Sequence, residues 1–286
     1  MLQRILIDKQ DDVIELCKEI KPSGFVALDT EFARRDTYFA KLSLVQLAFN
    51  DRIYIIDALR TDVQDIWNKI IESSSIVIIH SGRQDLEIFY QLFKKLPQNL
   101  IDVQIAAKLC GYRAYISYSE LCANICNVEL DKKHQSANWL AREISPEMLD
   151  YAALDVVYLE QIYKHLKKTL DQKNLNDELK DQVYKTLLDT TLYKNKPEDA
   201  WKKVKFSNRQ ESFLKKMQII AAFREEAAMK LNIPRGFFAT DKHLIQICQM
   251  MPTDNTMLKQ IMHLKSWIKK PEYSTKLFDL CAGMGE

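Results

Sequence analysis

The chain has 286 residues, 47% hydrophobic and 28% charged, with 6 glycines, 7 prolines and a net charge of +2. That composition supplies enough apolar surface to offset the entropy of ordering the backbone, which excludes a disordered chain, and the length suits two domains of roughly 100–200 residues each. No run approaches the ~18 apolar residues of a membrane-spanning helix and the opening MLQRILIDKQ lacks a secretory apolar stretch, so a soluble cytoplasmic protein is expected.

Charge is unevenly spread, −4 over residues 1–195 and +6 over 196–286. A basic module beside an acidic one can hold a polyanion near a metal-loaded site; a soluble helical surface accounts for the same charge. The six cysteines (Cys17, Cys110, Cys122, Cys126, Cys248, Cys281) show no CxxC or Cys/His pairing and read as reduced core residues.

Residues 24–29 read as a buried strand, and 42–49 and 52–57 as two strands joined by the turn residues Asn50-Asp51. The β-branched run at 76–79, bounded by serines and Gly82, is too short for a helix and reads as a central strand. From Arg83 onward apolar positions recur at helical spacing through Leu86, Phe89, Tyr90 and Phe93. Pro146 behind a capping Ser145 opens a helix expected to reach Leu166. Strands followed by alternating strands and helices predict an α/β mixed sheet. Beyond 195 the pattern is helical throughout, after the basic junction Lys202-Lys203-Lys205, which could contact phosphates or stay solvated.

Asp29 and Glu31, two apart at the end of the first strand, point to one face of the sheet. Two acids there repel unless hard divalent cations intervene, and such cations need further carboxylates from elsewhere. Asp85 opens the helix after the 76–79 strand, where it could also serve merely to offset the helix dipole. Tyr151 and Asp155, four apart, share one helix face.

The three segments in this order, Asp29-Thr30-Glu31, the His80-Ser81-Gly82-Arg83-Gln84-Asp85 run, and Tyr151-Ala152-Ala153-Leu154-Asp155, resemble the exonuclease motifs of the tyrosine subgroup of the DEDD superfamily. The similarity is strongest to the ribonuclease D family. It extends to Thr37-Tyr38-Phe39, LSLVQL, Leu100-Ile101-Asp102 and Leu130-Asp131-Lys132 with Trp139 and Arg142, covering most of 20–170. Arg224-Glu225-Glu226, Asn232-Ile233-Pro234-Arg235 and Pro252 resemble the helical HRDC module; a bundle that only packs against its neighbour is the simpler alternative. The chain departs from the family at Ala137-Asn138, where Ser-Asp is common, at Ala40, where Pro is common, and in having room for one HRDC module only.

The resemblance implies a ribonuclease H-like exonuclease domain over 1–195 with trailing helices, a linker at 196–206 and a small all-α HRDC domain over 207–286. It implies a 3'-5' exoribonuclease that releases 5'-mononucleotides from tRNA precursors and other structured RNAs. Asp29, Glu31, Asp85 and Asp155 would hold two divalent cations, Mg²⁺ or Mn²⁺, and Tyr151 would orient the attacking water. Thr30, Tyr38, Phe39, Gln135 and Arg142 lie in matching segments and are candidate RNA contacts, each with an ordinary structural role also open to it. No histidine is assigned to the chemistry and no protein partner is inferred. A DNA 3'-5' exonuclease and an inactive nucleic-acid-binding module are the competing readings.

Overall fold

The computed structural model describes residues 3–21, 23–131 and 137–284. The chain forms two compact units, one of residues 1–33 and 41–193, the other of 34–40 and 194–286.

The first unit is built on a six-stranded mixed sheet: β1 (Gln3–Ile7), β2 (Phe25–Ala33), β3 (Lys41–Phe49), β4 (Arg52–Asp57), β5 (Ile76–Ile79) and β6 (Leu100–Asp102), in the order β1-β4-β3-β2-β5-β6. β3 runs antiparallel to β2 and β4, and the other three neighbouring pairs are parallel. All residues of β3 after Lys41 are buried, as befits a central strand covered on both faces. The β3–β4 connection is the expected two-residue turn, with Asn50 and Asp51 both at left-handed φ (50° and 57°), the geometry that matches strand twist in a tight hairpin.

Helices α1 (Gln10–Glu19), α2 (Gln64–Glu72), α3 (Arg83–Phe93), α4 (Val103–Leu109), α5 (Tyr118–Leu121), α6 (Pro146–Val157), α7 (Leu159–Gln172) and α8 (Asn176–Val183) complete this unit. Trp67 of α2 and Phe89 of α3, each 1% exposed, stack with ring centroids 3.9 Å apart. α6 packs across β2, β3 and β4, while α7 packs on β2, β5 and α4. Ser145 caps α6 by accepting from the Met148 amide, with Pro146 in the first turn, as its sequence dictates.

Three local expectations change. β2 continues to Ala33, so Asp29 and Glu31 lie within the strand; its pairing with β3 resumes past a bulge between Glu31 and Phe32. The helix from Pro146 ends at Val157 and restarts at Leu159. Residues 196–206 are no bare linker: Pro197–Lys203 forms a 3₁₀ helix, and Ala200 and Val204 enter the core of the second unit.

That unit's regular elements are helices: α9 (Glu211–Leu231), α10 (Arg235–Phe238), α11 (Asp241–Met250), α12 (Asn255–Lys259) and α13 (Pro271–Ala282). Its core centres on Phe238, which meets Phe223 and Tyr273 edge-on at 5.7 and 5.1 Å. Arg224, only 2% exposed, donates to the Ala239 carbonyl at 3.1 Å and to Asp241 at 2.7 Å. The 34–40 segment belongs here because Tyr38 donates its hydroxyl to the buried Glu225 at 2.5 Å and the Phe39 amide donates to Asn232 Oδ1 at 3.1 Å. No helix among the described residues is long and apolar enough to cross a membrane.

Candidate active site

Asp29 and Glu31 alternate with Thr30 along β2 and so share a face. Directly across the ladder from Asp29 stands Gln46, fully buried, whose amide oxygen and nitrogen have no partner among the described residues. A buried amide left this way costs about 1–3 kcal/mol, a sign that this patch is shaped for something other than stability.

Asp85 arrives through a turn held by a second acid. Asp102, 2% exposed at the start of α4, accepts from the amides of Ser81 (3.1 Å), Gly82 (3.2 Å) and Gln104 (2.8 Å). The turn bends through Ser81 at φ 55° and launches α3, whose first turn carries Asp85. The Thr30 hydroxyl donates to Asp85 Oδ1. α6 supplies Tyr151 and Asp155 one turn apart.

The four carboxylates feel one another. Asp29 is pushed well above the usual carboxylate range by burial and then by Asp85, Asp155 and Glu31. Burial, with Asp155 and Asp85, pushes Glu31 up to about 9. Burial pushes Asp155 up to about 7 and Asp85 up to about 6, the latter against the Thr30 hydrogen bond. Among the described residues no lysine or arginine ion-pairs with any of the four, and no three acidic, histidine or cysteine side chains close on a common point. Like charges in a poorly solvated site spread apart unless a cation draws them in.

Burial and the neighbouring Asp155, Glu31 and Asp29 raise the Tyr151 phenol above its ordinary pKa. The phenol therefore stays protonated, a hydrogen-bonding group and not a base. Its ring lies 6.0 Å from that of Trp139, which is 4% exposed.

A 3'-5' exonuclease family profile matches residues 5–171, and an HRDC domain profile matches 214–281. Ribonuclease D of Bartonella henselae is 35% identical over 267 residues, an alignment covering 92% of this chain and 66% of that protein. Ribonuclease D of Gluconacetobacter diazotrophicus is 30% identical over 280 residues, 97% of this chain and 71% of that one. The chain belongs to the ribonuclease D family.

The crystal structure of Escherichia coli RNase D, described as an exoribonuclease involved in structured RNA processing, superposes with a TM-score of 0.86 at 28% identity. That match covers 99% of this chain and 76% of the other. The chain thus spans about two thirds to three quarters of the length of these ribonuclease D relatives. Ribonuclease D enzymes are 3'-5' exoribonucleases, and their exonuclease superfamily is divalent-metal dependent.

Of the candidate RNA contacts, Arg142 is committed elsewhere. Its guanidinium donates to the carbonyls of Trp139 (2.9 Å) and Ala141 (2.6 Å), to Ser43 Oγ (3.1 Å) and to Asp57 (2.8 Å), the last an ion pair 4% exposed on the acid side. It therefore fixes the turn that seats Trp139 against Tyr151, a role spread over 85 to 99 residues of sequence and invisible in spacing. Tyr38 and Phe39 are anchored to Glu225 and Asn232. Gln135 lies outside the described residues.

Thr30 is buried, 6% exposed, and serves Asp85. Replacing Thr30 by Val removes the hydroxyl that donates to Asp85 and is expected to lower kcat roughly ten-fold, as losses of outer-shell partners do, while Thr30→Ser restores it. Single-turnover rates measure this, and a wild-type rate for Thr30→Val would refute the role.

Proposed function

We propose that this ribonuclease D family member hydrolyses RNA stepwise from its 3' end to 5'-mononucleotides, with tRNA precursors among its substrates, using two divalent cations, Mg²⁺ or Mn²⁺. The observation that carries the reading is the set of four mutually repelling carboxylates, Asp29, Glu31, Asp85 and Asp155, brought from β2, α3 and α6 with no ion-paired lysine or arginine among the described residues. An all-oxygen donor set beside the orphaned Gln46 amide fits hard cations of this class.

Asp29, Glu31 and Asp155 would hold one cation, and Asp29 with Asp85 the other. When bound, such a pair makes hydroxide accessible from water at neutral pH and offsets charge on the leaving 3'-oxygen. Tyr151, held protonated and backed by Trp139, hydrogen-bonds the attacking water and sets its line of approach. Thr30 keeps Asp85 turned toward the other acids. The +6 charge of residues 196–286 favours phosphate-rich strands at low salt.

A 3'-extended tRNA and a DNA strand of the same sequence, each offered with Mg²⁺, Mn²⁺ or EDTA, test the proposal. Stepwise shortening of the RNA, release of 5'-mononucleotides and silence in EDTA are expected. Preference for DNA, or inertness under every ion, would overturn it.

A further inference from the structure

The break between α6 and α7 has a cause in a third helix. Tyr118 opens α5, and its hydroxyl donates to the Leu154 carbonyl at 3.0 Å while accepting from the Tyr158 amide at 3.1 Å. Those two backbone groups stand four residues apart and would otherwise bond each other as one rung of a continuous helix. The hydroxyl occupies that rung. Tyr158 sits at φ −102°, ψ −3°, away from the helical values of about −63° and −42°. Insertion of a side chain into the ladder is a recognised cause of a sharp bend.

Asp155 is the residue next to the bridged carbonyl, inside the interrupted turn. The hydroxyl thus anchors the last turn of α6, the turn that carries Asp155, to α5, while α7 sets off from Leu159 in its own direction. The bend also lets α6 keep its packing on β2, β3 and β4 while α7 follows β5 and α4.

Tyr118 is itself firmly seated. Ser117 and Glu120 form a reciprocal capping box at the start of α5, and Arg113 pairs with Glu120. The preceding Ile116 carbonyl bonds His80 Nε2 at 2.9 Å and accepts from Gln104 at 3.0 Å, tying α5 to the turn before Asp85.

We infer that Tyr118 is a positioning residue: its hydroxyl, wedged between Leu154 O and Tyr158 N, sets the direction of Asp155 and thereby the cation affinity of the site. The inference rests on the reading of Asp155 as a metal ligand given above.

Tyr118→Phe removes the hydroxyl alone. In the full chain, affinity for Mn²⁺ measured by calorimetry without RNA is expected to fall roughly 10- to 100-fold, the usual cost of losing an outer-shell partner, with kcat falling alongside and KM for RNA little changed. In an Asp155→Asn background the same change is expected to alter Mn²⁺ affinity no further, because the group it orients is gone. Circular dichroism checks folding, and Tyr118→Met, similar in size and without a hydroxyl, repeats the test should Tyr118→Phe unfold. Wild-type Mn²⁺ affinity in Tyr118→Phe, with binding lost in Asp155→Asn, would overturn the role of Tyr118 and leave the metal site standing. Independent, multiplying losses in the double variant would overturn it as well. Wild-type Mn²⁺ affinity in Asp155→Asn would remove the ligand assignment and the inference together.

Discussion

Asp29→Asn is expected to abolish practical activity and at the same time to stabilise the metal-free protein. Asparagine is isosteric but a poorer ligand for a hard cation, so transition-state stabilisation of about 4 kcal/mol, roughly a thousandfold in kcat, should be lost. The stability gain has a separate origin. Asp29 is raised by burial and by three neighbouring acids, so its ionised form is held against solvation and against Asp85, Asp155 and Glu31. A neutral amide relieves that repulsion, and Tm should rise by about 2–4 °C for each kcal/mol relieved. Thermal melts in EDTA and in Mn²⁺ check both halves: Mn²⁺ should raise the wild-type Tm and leave that of Asp29→Asn nearly unmoved. A variant that is inactive and also destabilised in EDTA would mean that Asp29 is a structural residue.

Phe238→Ala should be the most damaging change in the helical unit. Phe238 is fully buried between Phe223 and Tyr273, and truncating such a ring costs about 3–5 kcal/mol in transfer and cavity terms. The loss should appear as an early melting step. It should also be felt far away in sequence, because residues 34–40 take their hydrogen bonds from α9 and the residue that ends it. Limited trypsinolysis of Phe238→Ala is expected to cut after Arg34 or Arg35 together with sites beyond residue 194, well before the 41–193 core is attacked. Resistance of the 34–40 segment under those conditions would contradict its assignment to the second unit.

Strands β3, β4 and β5 were legible because short apolar runs ended at turn residues, and the start of α6 because Ser145-Pro146 carries its own capping chemistry. That Asp29 and Glu31 share one strand face, and Tyr151 and Asp155 one helix, was legible from spacing, since the sheet and helix periods fix which side chains share a face. What spacing cannot carry is an effect from a distant side chain. The extra length of β2 comes from pairing with β3 past a bulge, and β1, five residues at the sheet edge, has too little pattern to distinguish it. Nothing in the apolar spacing of 146–166 foretells the stop at Tyr158, because the hydroxyl that makes it comes from Tyr118, 40 residues earlier. Arg142 read as a candidate RNA contact with a structural role also open, and spacing could not decide between them because its partners Ser43 and Asp57 are remote in sequence.

The assignment of residues 34–40 has a bearing on how such a protein can be assembled from parts. The polypeptide passes from one unit to the other three times, after Ala33, after Ala40 and after Tyr193. A gene fragment beginning at residue 194 therefore encodes a bundle lacking a piece of its own fold, in which Glu225 loses the phenol that donates to it and Asn232 loses the Phe39 amide. The complementary fragment keeps a seven-residue segment in which Tyr38 and Phe39 have lost these partners. Unlike a bead on a string, the second unit draws a segment from the middle of the first one's sequence, and recombination that exchanges the terminal module has to preserve Tyr38 and its receptor as a matched pair.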